Sequence, residues 1–165
     1  MTGILRGADV LLPAALIVAL TALPAPAMAG GARGRGETIE TAAGPLTIVN
    51  AHENEGRGVE VFLDRRPVLR DRAIEMALVE KSFPEDGPPR VLVLAIGSGG
   101  NACPLLLRVI DVGRRPVFVS RQFGTCYDEV DVSETGGGEV RIVQPNRGGE
   151  PRAKWVYRNG TLRGP

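Results

Sequence analysis

Reactive side chains are scarce in this chain. Its 165 residues include one histidine, two cysteines, one tryptophan, two tyrosines and four phenylalanines. A zinc site draws three or four ligands, mostly histidine and cysteine, so no metal centre of that kind is expected. With His52 as the sole imidazole, a serine hydrolase would have to be built around that one residue. Charge of one sign is lacking too, since 20 basic and 19 acidic residues leave a formal +1. A surface so close to neutral does not steer a protein toward nucleic acid or anionic lipid, and no nucleic-acid partner is expected. Long apolar runs are also missing. Val10 to Leu20 falls short of the roughly 20 residues that a bilayer-spanning helix needs, and Pro24 and Pro26 keep the run from extending. No stable membrane insertion is expected once that segment is removed.

The residues that are present begin with an address. Arg6 precedes the apolar run, and Ala27-Met28-Ala29 closes it with the small-x-small pattern that signal peptidase accepts. These features predict a signal peptide over residues 1–29, cleaved after Ala29, and a periplasmic or secreted protein. Cleavage removes Arg6 and Asp9 together, so the formal charge is unchanged. Residues 30–36, Gly-Gly-Ala-Arg-Gly-Arg-Gly, offer nothing to bury and read as a disordered lead-in. Residues 37–165 are expected to form a single β-rich domain, because a chain of this length supports one domain and not two. Eighteen of the 20 bases are arginine. A GC-rich genome explains that bias more economically than a bidentate anion site does.

The domain is punctuated by turn residues every 8–12 positions, with short strand-like stretches between them, which predicts an all-β antiparallel meander, sandwich or barrel-like. Thr38–Thr41 and Pro45–Val49 flank an Ala43-Gly44 turn. Val59–Leu63 precedes a turn at Asp64-Arg65-Arg66-Pro67. Ala73–Phe83 alternates like a strand at Ile74, Met76 and Leu78, although its composition also suits a helix. Strand neighbours on both sides favour strand. Val91–Ile96 is so uniformly apolar that both of its faces are expected to be covered. It is followed by a glycine-rich loop and a second apolar strand, Leu105–Val112. Val117–Ser120, Tyr127–Glu134, Val140–Val143 and Ala153–Tyr157 complete the series, with Asn159-Gly160 as a type I′ turn signal. A weak internal repeat runs at a shift of 49: Arg65-Arg66-Pro67-Val68 returns as Arg114-Arg115-Pro116-Val117, and Val91, Leu94 and Gly99-Gly100 return as Val140, Val143 and Gly148-Gly149. The expectation is two related three-strand units, or a chance match in a glycine- and arginine-rich chain.

Five groups of residues are candidates for chemistry. Cys103 and Cys126, a lone pair in an exported chain, predict a structural disulfide. Gly97-Ser98-Gly99-Gly100-Asn101-Ala102 has the lettering of a dinucleotide loop, but that site needs a helix to follow it. The apolar, β-branched run ahead of Gly113 leaves no room for one, so no cofactor is expected. Ser98, His52 and either Glu53 or Glu55 can be written as a hydrolytic triad, without the G-x-S-x-G elbow. Asp128, Glu129, Asp131 and Glu134 form an acidic cluster lacking calcium-loop spacing, and a solvated acidic face is expected. Trp155 and Tyr157 share one face of a strand, either as a small binding platform or, more in keeping with so few aromatics, as the anchor of the core.

The functional expectation is a small exported β domain, non-enzymatic, that binds a protein or an envelope component through loops or an edge strand. Its rivals are a small periplasmic hydrolase using His52 and a purely structural envelope module.

Overall fold

The computed structural model describes residues 36–100, 103–146, 148 and 151–165. The segment read as a signal peptide and all of the lead-in except Gly36 lie outside the described residues.

Among the described residues, twelve strands succeed one another as three consecutive four-stranded antiparallel meanders. The first sheet contains β1 (Glu37–Thr41), β2 (Gly44–Val49), β3 (Val59–Leu63) and β4 (Arg66–Asp71). The second contains β5 (Met76–Phe83), β6 (Val91–Gly97), β7 (Leu106–Asp111) and β8 (Phe118–Val119), and the third β9 (Asp131–Thr135), β10 (Glu139–Pro145), β11 (Arg152–Arg158) and β12 (Thr161–Arg163). Each sheet pairs its strands in chain order and keeps two open edges, so no barrel closes. The all-β reading holds. The ambiguous stretch is β5, a strand from Met76 onward.

The period-2 pattern explains how the sheets stack. In a strand, alternate side chains point to opposite faces. Along β6, Leu92, Leu94 and Ile96 join a core with Leu46 and Ile48 of β2 and Val59, Val61 and Leu63 of β3. Val91 and Val93 point the other way, into a second core with Val140 and Ile142 of β10 and Ala153, Trp155 and Tyr157 of β11. The second sheet is therefore the middle layer of three, and β6 is buried on both faces.

The number of units differs from the sequence expectation: there are three four-strand units, not two of three strands. The repeat falls on real correspondences nonetheless. Both Arg-Arg-Pro-Val copies lie where the third strand of a sheet gives way to the fourth: Arg65 is in the β3–β4 turn, Arg66, Pro67 and Val68 open β4, and Arg114 to Val117 lie between β7 and β8. Val91 and Val140 both stand near the start of a second strand, β6 or β10. The two sets of matches thus link first to second sheet and second to third, which a two-unit reading cannot separate. The turn at 64–67 is also tighter than its lettering. Only Asp64 and Arg65 form it, both at positive φ (46° and 63°), and Arg66 and Pro67 already pair in β4. Asn159-Gly160 adopts the expected type I′ conformation, with φ of 47° and 81°, and leads into β12, a strand too short to show in the sequence pattern.

Polar links join the layers. Arg108 on β7 donates to Asp71 at the end of β4, and its Nη1 donates to the Ser120 carbonyl (2.8 Å). The Gln122 amide also donates to Asp71 (3.1 Å). Cys103 and Cys126 form a disulfide with their Cα atoms 4.5 Å apart, tying the β6–β7 loop to the β8–β9 loop. The second of these loops is held to the third sheet by Gln144, fully buried, whose Oε1 accepts the Thr125 N–H (2.8 Å) and whose Nε2 donates to the Tyr127 carbonyl.

Leu94→Ala empties a site in the middle layer and is expected to cost about 2–5 kcal/mol, in line with other large-to-small core changes, in a urea melt. Replacing both cysteines by serine is expected to remove roughly 3 kcal/mol under oxidising conditions. Wild-type protein with reductant should then melt with the double variant.

Candidate functional site

Connections in an up-and-down meander alternate between its two ends. At one end lie the turns Ala42-Ala43, Asp64-Arg65, 112–117, 136–138 and Asn159-Gly160, together with the proline-rich connection 84–90. Contacts between sheets show that these turns share one end of the stack: the Ala42 N–H donates to the Pro89 carbonyl (3.0 Å), and Arg114 lies across Gly160, where a Cβ would come within 2.8 Å of its Nε. The opposite end carries the longer loops, among them the disulfide.

The loop end holds most of the residues singled out by the sequence. The glycine-rich stretch joins β6 to β7 in an antiparallel hairpin, with Ile96 opposite Leu106. A strand comes after it, so no helix N-terminus is present to hold a pyrophosphate. Asn101 and Ala102 lie outside the described residues. Ser98 and His52 are both exposed, on loops that Glu75 bridges through its backbone, its carbonyl accepting the Ala51 N–H and its N–H donating to the Gly97 carbonyl (both 2.9 Å). His52 makes no hydrogen bond to Ser98 or to a carboxylate among the described residues. The acids proposed beside it are engaged elsewhere: Glu53 Oε2 accepts the Asn50 N–H (2.7 Å), and Glu55 lies 3.9 Å from Arg57. Asp128 and Glu129 precede β9 and are exposed, as are Asp131 and Glu134 on it. Glu129 pairs with Arg152 (3.4 Å), and no metal-holding group of three ligands occurs among the described residues.

Trp155 and Tyr157 do not form a surface platform. They are 7% and 1% exposed, because their face of β11 turns toward the middle sheet. Trp155 packs on Phe123 (ring centroids 5.3 Å) and Tyr157 on Phe118 (5.2 Å), which is the core-anchor alternative. The Tyr157 hydroxyl donates to Asp111 Oδ2 (2.6 Å) and accepts the Gly160 N–H (3.0 Å), while Asp111 Oδ1 accepts the Gly113 N–H (2.9 Å). Burial first, and the hydrogen bond to a carboxylate second, hold the phenol well above its ordinary value of 10.0.

Two of the edge strands, β5 and β4, carry features that blunt strand addition. On β5 the Ala77 N–H is capped by Asn50 Oδ1 (2.6 Å), and a bulge interrupts the register between Val79 and Lys81. Bulges, charges and prolines blunt edges in this way. Met76 and Leu78 remain exposed on that strand. On β4, another edge, Pro67 supplies no N–H.

Loops at the tight-turn end offer more. Between the first and second sheets a groove of about 600 Å³ is lined by Arg66, Pro67 and Val68 on one side and Arg115, Pro116 and Val117 on the other. These are the corresponding residues of the two Arg-Arg-Pro-Val copies. Leu63, Ala43 and Asp64 complete the lining. Pseudo-symmetric stacking explains the pairing: sheets of the same topology, laid face to face, bring equivalent turns alongside one another. Arg66 and Arg115 are exposed and form no ion pair among the described residues. A second cleft, of about 460 Å³, lies between the middle and third sheets and opposes Arg90 to Glu134 in its lining. The repeated motif is legible in the sequence, but its meeting place is not, because that depends on how the sheets stack.

Comparison of the chain with protein-family models, curated proteins and solved structures found no match.

The unfolded chain releases the Tyr157 proton near pH 10, whereas the folded chain retains it. Stability from this group is therefore complete below pH 10 and declines as pH rises above it. Tyr157→Phe leaves buried Asp111 short of a donor and is expected to cost about 1–3 kcal/mol at neutral pH. It should also flatten the alkaline decline, as read from urea melts at a series of pH values.

Proposed function

We propose that this chain is an exported, non-enzymatic β domain that binds an anionic part of a protein or envelope component in the groove between the β3–β4 and β7–β8 turns. The observation that carries this reading is the pair of guanidinium groups, Arg66 and Arg115, that form no ion pair among the described residues and line one concave surface together with apolar side chains. Arginine presents a planar fork of donors that matches carboxylate and phosphate oxygens and sheds its water more readily than lysine. Concave sites with apolar side chains and a few convergent polar groups are where ligands bind. The Ala27-Met28-Ala29 cleavage pattern supports export. The disulfide fits an oxidising compartment. The hydrolase reading has less to support it, since Glu53 and Glu55 are both turned to local partners.

Fluorescence anisotropy with protein purified from the periplasm of an expressing host tests the proposal against acidic peptides, polyphosphate and dextran sulfate. At least one anion is expected to bind, more weakly as salt rises. Arg66→Gln with Arg115→Gln should weaken that binding by about tenfold or more, the scale of losing two charge-assisted contacts. Arg72→Gln with Arg121→Gln, exposed positions on loop-end connections, should leave it unchanged. Equal binding by both double variants, or no binding of any probe, would favour the purely structural module.

A further inference from the structure

We infer that the ligand of this groove is an extended acidic peptide segment carrying apolar side chains as well as carboxylates. The inference rests on the anion-binding reading and names the class of anion.

Three features of the lining separate peptide from phosphate or sulfate polymer. First, phosphate and sulfate sites are built largely from backbone N–H groups, at helix N-termini or in nests of successive amides. Here the residue after each arginine is proline, Pro67 or Pro116, which has no N–H to give. No helix end is available either, since the described residues hold only strands and one short 3-10 turn, Ala51–Glu53.

Second, apolar residues share the lining with the arginines. Val68 and Val117 line the groove from equivalent positions, beside the two proline rings. Phosphate and sulfate groups leave such surface unused, whereas an aliphatic side chain set between carboxylates buries against it.

Third, Asp64 stands in the same lining, the one acid there. A polyanion offers that carboxylate only like charge. A peptide brings an N–H at every residue except proline, so it satisfies Asp64 and both arginines at once.

Recognition by side chains, not by strand addition, is a consequence of the same prolines. β4 and β8 are edge strands, and the prolines at or beside them interrupt the donors that a paired strand would need.

The test uses a labelled peptide alternating glutamate with leucine and valine. Companion peptides carry glutamine for every glutamate, or serine for every apolar residue. Inorganic polyphosphate and dextran sulfate serve as competitors, and wild type is compared with the Arg66→Gln, Arg115→Gln double variant. The mixed peptide is expected to bind wild type most tightly. Either companion, or the double variant, should show about tenfold weaker binding, the loss of a pair of charged contacts or of the apolar contact. Tighter binding of polyphosphate or dextran sulfate than of the mixed peptide, still dependent on Arg66 and Arg115, would overturn the peptide assignment and leave the anion-binding reading standing. Binding that ignores both arginines, or no binding, would overturn both.

Discussion

The double burial of β6 is the constraint on which the rest of the structure depends. A strand covered on one face belongs to a two-layer sandwich, while one covered on both faces requires a third layer. Val91–Ile96 has no polar residue with which to face water, so its sheet must be covered on both sides at that strand, while β5 at the sheet's edge still exposes Met76 and Leu78. The flanking sheets each complete one core with it. Their own exposed faces then carry the polar half of the alternation, as on β11, where Lys154 is exposed between buried Ala153 and Trp155.

Apolar contact is non-directional, so it leaves register and rotation between layers loosely specified. Specific polar links supply that direction. Arg108 with Asp71 sets the first sheet against the second, and Tyr157 with Asp111 sets the third against the second. Each pair reaches the end of a strand, at Asp71 or at Asp111. At the second of these, the buried carboxylate and phenol are also met by the turn amides of Gly113 and Gly160. Arg108 Nε is buried without a partner among the described residues, a local cost of placing that guanidinium between layers. The disulfide belongs to the same group of constraints, closing the loop end between β6–β7 and β8–β9.

The two ends of the stack are chemically unlike. The loop end carries the disulfide, His52, Ser98 and the glycine-rich hairpin, the residues that attract notice in the sequence, and the structure uses this end for capping and closure. The tight-turn end carries the arginines of the repeat, which the sequence shows as a recurring pattern and not as a site. There the pseudo-repeat places Arg66 and Arg115 across one groove, and it is concave because three stacked sheets of like topology leave furrows between their turns. The aromatic pair shows the same dependence on stacking. The alternation along β11 marks Ala153, Trp155 and Tyr157 as its apolar face, and the middle sheet is what covers that face and makes the two aromatics core.

Most of the strands and turns, the two-sided burial of Val91–Ile96 and the pairing of Cys103 with Cys126 were legible in the chain alone. These rest on local periodicity, on turn residues with few allowed conformations, and on there being only two cysteines to join. Only the folded arrangement reveals that the units number three, that Thr161–Arg163 pairs as a further strand, and that two distant arginine turns meet. Those outcomes depend on which faces stack against which. Stacking is chosen by the summed burial of three sheets and a few cross-layer hydrogen bonds, which no stretch of the chain carries on its own.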